Sequence, residues 1–86
     1  MQLTDPGVEE TVLNTVATVL KADRHSLTLQ TSLFADLNID SLDGLELAWK
    51  IQEVFDIEVE AQDVLQFRTV GDIAAKVKRS LSPLPI

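Results

Sequence analysis

Apolar residues return every three or four positions over separate stretches of this chain, and that spacing commits it to helices. Val8, Val12, Val16, Val19 and Leu20 form the first series, with Leu13 beside them. Asp5-Pro6 ahead of it reads as an N-cap followed by proline at the first helical position. Glu9 and Glu10 stand in the first turn, where acids favour the helix dipole, so a helix is expected over about 6–21. Asp40 with Asp43 three residues later resembles a capping box, which opens a second helix over about 41–55. Val64, Leu65 and Phe67 suggest a short third helix. Thr69-Val70-Gly71-Asp72 is a cap of the Thr-x-x-acid type, after which Val70, Ile73, Ala74, Val77 and Leu81 keep helical spacing. Lys76, Lys78 and Arg79 sit at the C-terminal end that favours cations.

Residues 22–40 have no long period. A bare loop of that length does not suit a compact domain. Leu27, Leu29, Leu33, Phe34, Leu37 and Ile39 supply anchors, and Thr31-Ser32 can cap a short turn, so an ordered crossover is expected. "IEVE" at 57–60 alternates, but four residues cannot make a sheet alone. The fold class is therefore all-α: a small four-helix bundle, three main helices and one short one, with a long ordered loop between helices 1 and 2. A single domain spans 1–81, and 82–86, "SPLPI", is expected to be a flexible tail that proline keeps from continuing the helix.

The chain has 86 residues, enough for one modest core, and 45% hydrophobic with 24% charged residues is a globular composition. It has no cysteine, which removes disulfides and thiolate metal sites and suits a reducing compartment. No apolar run reaches the ~18 residues of a membrane span, and the N-terminus lacks the features of a signal peptide. A cytoplasmic location is expected. Fourteen acids against seven bases give a net charge of −7, which argues against nucleic acid and anionic membranes. Nine acids and one base, Lys50, fall between Asp36 and Asp63. Such a segment is either a solvated acidic face or one steered toward basic partners.

The second helix has two apolar faces. At ~100° per residue from Leu47, the residues Gly44, Ile51, Val54 and Phe55 lie within about 80°, with Ala48 at about 100°. Leu42, Leu45 and Trp49 lie at roughly 160–220°. An outer helix of a small bundle buries one stripe, so the second is expected to be partly exposed, flanked by Asp43, Glu46, Gln52 and Glu53. That pattern marks a transient protein interface. The alternative is that the 22–40 crossover covers it. Gly44 costs ~1 kcal/mol in a helix interior. Its place on the core stripe lets another backbone approach closely, or else it loosens the first turn.

Ser41 follows Asp40 at the mouth of this helix, where free N–H groups and the positive dipole end favour phosphate. A serine there is also common with no further role. Asp36-x-Asn38-x-Asp40 matches half of a calcium loop, but the sixth position holds Ser41 in place of glycine and the twelfth Leu47 in place of glutamate. Catalytic motifs are absent. His25 is the only histidine and is expected in a solvated loop, and no G-x-S-x-G surrounds Ser41.

The run "FADLNIDSLDGLELAWKIQEVFDIEVEAQDVLQFRTVGDI" resembles the acyl carrier proteins. The D-S-L core is short, but it stands together with Leu37, Glu46, Phe55, Ile57, Val59 and Thr69-Val70 at family spacing. The resemblance covers about residues 8–81. It implies a carrier that is not itself an enzyme. Ser41, flanked by Asp40 and Leu42, would receive covalent 4′-phosphopantetheine from coenzyme A through a phosphopantetheinyl transferase, and the arm's thiol would hold acyl groups as thioesters. Leu42, Asp43, Leu45, Glu46, Trp49 and Glu53 would form the partner-recognition helix. The partners implied are the transferase and acyl or ketoacyl synthases, acyltransferases and other acyl-processing enzymes with basic docking patches, met by a monomer. The acyl chain would fold back between the helices, beside Leu47, Ile51 and Phe55. Asn38 replaces the family's usual glycine, where its tolerance of left-handed geometry preserves the turn. Trp49 replaces a methionine or smaller apolar residue, Val54 replaces a frequent acid, and the usual proline near Glu60 is missing. A housekeeping fatty acid carrier and a specialised freestanding one both fit. An acidic helical adaptor without a prosthetic group and a peptidyl or aminoacyl carrier are the alternatives.

Overall fold

A computed structural model describes residues 5–81. Four helices follow in order: α1 Asp5–Leu20, α2 Ser41–Phe55, α3 Ala61–Gln66 and α4 Val70–Leu81. A single turn of 3₁₀ helix, Arg24–Ser26, interrupts the crossover. The expected bundle is the observed one. α1 starts one residue before Pro6, and the capping expected of Asp5 lies outside the described side chains. The expected tail, 82–86, lies outside the described residues as well.

Each helix is present because its apolar stripe meets a shared core. Val8, Val12, Leu13 and Val16 from α1 pack with Leu47, Ile51 and Phe55 from α2, Val64 from α3, and Val70, Ile73 and Val77 from α4. Leu81, expected to extend the α4 stripe, is exposed. It stands at the helix's last position, beyond the final buried residue, Val77. The first-turn acids of α1 do more than answer the dipole. Glu9 pairs with Lys78 at 2.6 Å and Glu10 with Arg24 at 2.7 Å. The Glu9–Lys78 contact joins the start of α1 to the end of α4, so these two helices run antiparallel.

The crossover is ordered, as expected, and three backbone bonds tie it to the entry of α4. The Leu33 N–H donates to the Arg68 carbonyl at 2.9 Å, Val70 to Thr31 at 3.1 Å and Gly71 to Leu29 at 2.8 Å. The first two make one antiparallel bridge, Ser32–Thr69, the only β pairing among the described residues. Ser32 caps the following turn. Its Oγ accepts the Ala35 N–H, while the Asp36 carboxylate accepts the Ser32 N–H at 2.8 Å. Leu27, Leu33 and Ile39 are buried, and Leu29 and Leu37 pack partly against the core. Phe34 is a correction: it is 44% exposed, not an anchor. Adjacent residues on a tight turn point in different directions, and Leu33 occupies the inward place.

Gly71 shows how close the crossover lies. A Cβ there would come within 2.9 Å of the Leu29 carbonyl oxygen, a backbone atom that cannot swing aside. Gly71→Ala should therefore strain or break the Gly71–Leu29 bond and lower stability by about 1–3 kcal/mol, despite alanine's better helix propensity. Thermal unfolding monitored by circular dichroism checks this. An unchanged midpoint would mean that the junction yields freely.

Candidate functional site

The site is built at the junction of crossover and α2. Ile39 is buried and its N–H donates to the Leu33 carbonyl at 3.1 Å, which anchors the chain two residues before Ser41. Asn38 ahead of it adopts φ 54°, the left-handed conformation expected of it in place of glycine. The chain then emerges with Asp40 in extended geometry as the N-cap. Asp40 Oδ1 accepts the Asp43 N–H at 2.9 Å, and Asp43 Oδ2 accepts the Asp40 N–H at 3.2 Å. The expected capping box is present, built from two aspartates.

That box decides what Ser41 is free to do. Asp40 performs the capping, so the Ser41 hydroxyl is not needed for it. Ser41 is the first helical residue, it is exposed, and its Oγ makes no hydrogen bond among the described residues. The Asp43 and Gly44 amides are bonded to Asp40, whereas those of Ser41 and Leu42 have no partner among the described residues. A free hydroxyl beside two free amides at the positive end of a 15-residue helix fits a phosphodiester on Ser41. The half-motif for calcium is occupied otherwise. Asp36 and Asp40 bond backbone amides of separate turns. Among the described residues no group of three or more His, Asp or Glu is placed to hold a metal. His25 is exposed on the 3₁₀ turn, as expected.

The outer face of α2 is open. Leu42 and Trp49 are each 60% exposed, so the crossover does not cover them, and Leu45 is half-buried. Glu46 and Glu53 are exposed beside them, and Asp43 is half-buried in its cap. Glu53 also lies 3.4 Å from Lys50. Val54, expected on the core stripe, is 42% exposed. The buried set, Gly44, Leu47, Ala48, Ile51 and Phe55, centres on Ile51 and not on Leu47, which leaves Val54 at the margin. At Gly44 the close neighbour is a side chain and not the backbone expected: a Cβ there would stand 2.9 Å from Leu65 Cδ2, the movable end of a flexible side chain, while the Ala61 carbonyl oxygen of α3 would lie 3.8 Å away. Gln52, read from the sequence only as a flank, spans to the next loop through Oε1, which accepts the Val59 N–H at 3.2 Å. No local pattern in the sequence marks a contact seven residues away.

Residues 10–77 match the family model described as the phosphopantetheine attachment site. The acyl carrier protein of Chlamydia caviae is 37% identical over 72 residues, which is 84% of this chain and 94% of that protein. The chain belongs to the acyl carrier protein family. The acyl carrier protein of Phytoplasma australiense is 31% identical to this carrier over 87% of its length and 99% of the relative's. A solved Mycobacterium tuberculosis structure, provisionally described as an acyl carrier protein, superposes with a TM-score of 0.73 at 32% identity. It covers 84% of this carrier and 96% of that chain. This acyl carrier protein therefore uses phosphopantetheine and works with acyl-processing enzymes as a carrier, not as an enzyme. The adaptor without a prosthetic group is set aside by that membership.

Proposed function

We propose that this carrier holds its acyl groups on a 4′-phosphopantetheine arm attached to Ser41. The observation that carries the reading is the exposed Ser41 hydroxyl, released from capping by Asp40. In loading, Ser41 Oγ attacks the pantetheine-side phosphorus of the coenzyme A pyrophosphate; the Oγ–P bond forms as the pyrophosphate P–O bond breaks, and adenosine 3′,5′-bisphosphate leaves. Its proton passes to a base of the phosphopantetheinyl transferase, because the carrier's neighbouring carboxylates, Asp40 and Asp43, are engaged with backbone amides in the capping box. The Ser41 and Leu42 amides then face the phosphodiester, while Asp40 and Asp43 stay bound in their box. Once attached, the arm supplies a thiol that forms thioesters, a group absent from a chain with no cysteine.

The partners are the transferase, then acyl or ketoacyl synthases and acyltransferases of fatty acid, lipid or polyketide-type synthesis. They meet the carrier as a cytoplasmic monomer on Leu42, Asp43, Leu45, Glu46, Trp49 and Glu53. The exposed apolar pair Leu42 and Trp49, bordered by Glu46 and Glu53, supports partners with apolar pockets and basic rims. The net charge of −7 supports protein partners over nucleic acid or anionic membranes. Among the described residues no helix is long and apolar enough to cross a membrane. Relatives named acyl carriers support acyl over aminoacyl cargo.

Incubation with coenzyme A and a broad-specificity transferase tests the reading: intact mass should rise by one phosphopantetheine. No rise, where a control carrier is loaded, would refute it. The charged rim has its own test. The double reversal Glu46→Lys, Glu53→Lys should slow loading at low salt by roughly tenfold or more, and the gap to wild type should narrow as salt screens the interaction. Equal rates at low salt would remove these residues from the interface.

A further inference from the structure

The exposed aromatic of the crossover belongs to no part of the core and to no part of the docking helix. Phe34 is 44% exposed, on a turn held by both backbone and side-chain hydrogen bonds. The Asp36 and Leu37 amides both donate to the Ser32 carbonyl, and Asn38 donates to the Phe34 carbonyl at 3.1 Å. Ser32 and Asp36 cap the same turn through their side chains, and Leu33 beside Phe34 is completely buried. The ring is thus displayed from a preorganised support, which lowers the entropy lost on docking.

Its distance from Ser41 is bounded by the chain. Phe34 O lies 3.1 Å from Asn38 N. The three residues from Asn38 to Ser41 span at most about 11 Å, so the Phe34 backbone stands within roughly 15 Å of Ser41. Trp49 lies eight residues along α2, about 12 Å from Ser41. A standard docking footprint of about 800 Å² per partner is a disc of roughly 16 Å radius. An enzyme that centres on the Ser41 hydroxyl has an exposed aromatic within reach on each of the two segments that meet there. Exposed Asp36 follows the crossover ring by two residues and exposed Asp40 lies between it and Ser41 along the chain, so the surface it suits is an apolar pocket edged by Lys or Arg.

We infer that Phe34 is a second docking contact for the phosphopantetheinyl transferase, on the crossover, and that with Trp49 it fixes how the enzyme is registered over Ser41. Contacts confined to one helix leave the enzyme free to pivot about that helix, whereas a contact on a second element fixes its orientation. The inference rests on the proposed attachment at Ser41 and adds a contact outside α2.

The test measures kcat/KM for loading by the transferase, using wild type, Phe34→Ala, Phe34→Gln, Phe34→Tyr and Leu81→Ala, each checked for fold by circular dichroism. Truncating an aromatic docking contact lowers kcat/KM on the order of tenfold. Phe34→Ala and Phe34→Gln should both show this loss. Phe34→Tyr, which keeps the ring, should recover most of the wild-type value. Leu81→Ala, an exposed apolar change at the far end of α4, should load like wild type. Gln keeps the methylene stem, so it reads the ring's role even where Ala disturbs the turn. Wild-type rates for folded Phe34→Gln, or an equal loss in Leu81→Ala, would overturn the inference while leaving Ser41 loading intact. A wild-type chain that takes up no arm would instead refute the attachment itself, and the inference with it.

Discussion

Leu33→Ala should lower the midpoint of thermal unfolding by roughly 10–30 °C. Leu33 is completely buried, and truncating a buried leucine costs about 2–5 kcal/mol through lost transfer energy and the remaining cavity. In a domain of this size each kcal/mol moves the midpoint by about 4–8 °C. The site has little room to collapse, because the Leu33 backbone is bonded to Arg68 on one side and to Ile39 on the other. The loss should also appear locally. Amide exchange at Leu33 and Ile39 should accelerate more than exchange in the centre of α1, because the crossover is held by few residues. A fall below about 5 °C would mean that the crossover is anchored elsewhere.

Ser41→Ala should abolish loading and leave the fold alone. On the proposed attachment, the arm needs an oxygen nucleophile at this position, and alanine has none. The stability change should stay within about 0.5 kcal/mol, as for a surface substitution, because Asp40 and Asp43 cap the helix without help from Ser41. This pairing of outcomes separates two roles for the serine. Loss of a capping residue costs about 0.5–2 kcal/mol. A variant that unfolds correspondingly earlier would show that Ser41 supports the helix, and its failure to load would then say less about chemistry. Asp40→Ala is the matching control, since that change removes the cap while sparing the hydroxyl.

The helices were legible because their signals are local. α2 begins and ends where Asp40, Asp43 and Phe55 indicated, since a cap and a period lie within the segment they describe. Gly44 was legible only in part: its place on the core stripe left a close backbone and a loosened first turn both open, and the near neighbour is a side chain, Leu65. The crossover was legible only in outline. Its ordering depends on Leu29, Thr31 and Leu33 meeting residues 68–71, and bonds between residues so far apart in the chain leave no period in a sequence. Phe34 and Val54 were misplaced because apolarity marks a residue as able to be buried, while geometry selects which of two adjacent candidates turns inward. Helix ends without glycine were equally hidden. Lys21 and Asp56 take positive φ just after α1 and α2; lysine gives no sign of it, and aspartate, though tolerant of left-handed geometry, is as common at caps and turns. At the site, the free state of the Ser41 hydroxyl follows from which residue does the capping. The sequence offered Asp40 for that role, and the geometry assigns it there.

The most direct measurement locates the modification on the loaded protein. Cleavage after Arg24 and Lys50 releases one peptide, 25–50, that contains Ser26, Ser32 and Ser41 together. Fragmentation that retains the arm, or its characteristic losses, distinguishes the three serines. The account predicts one phosphopantetheine, carried by Ser41. An arm on Ser26 or Ser32, or a bare peptide from protein treated under conditions that load a control carrier, would contradict it.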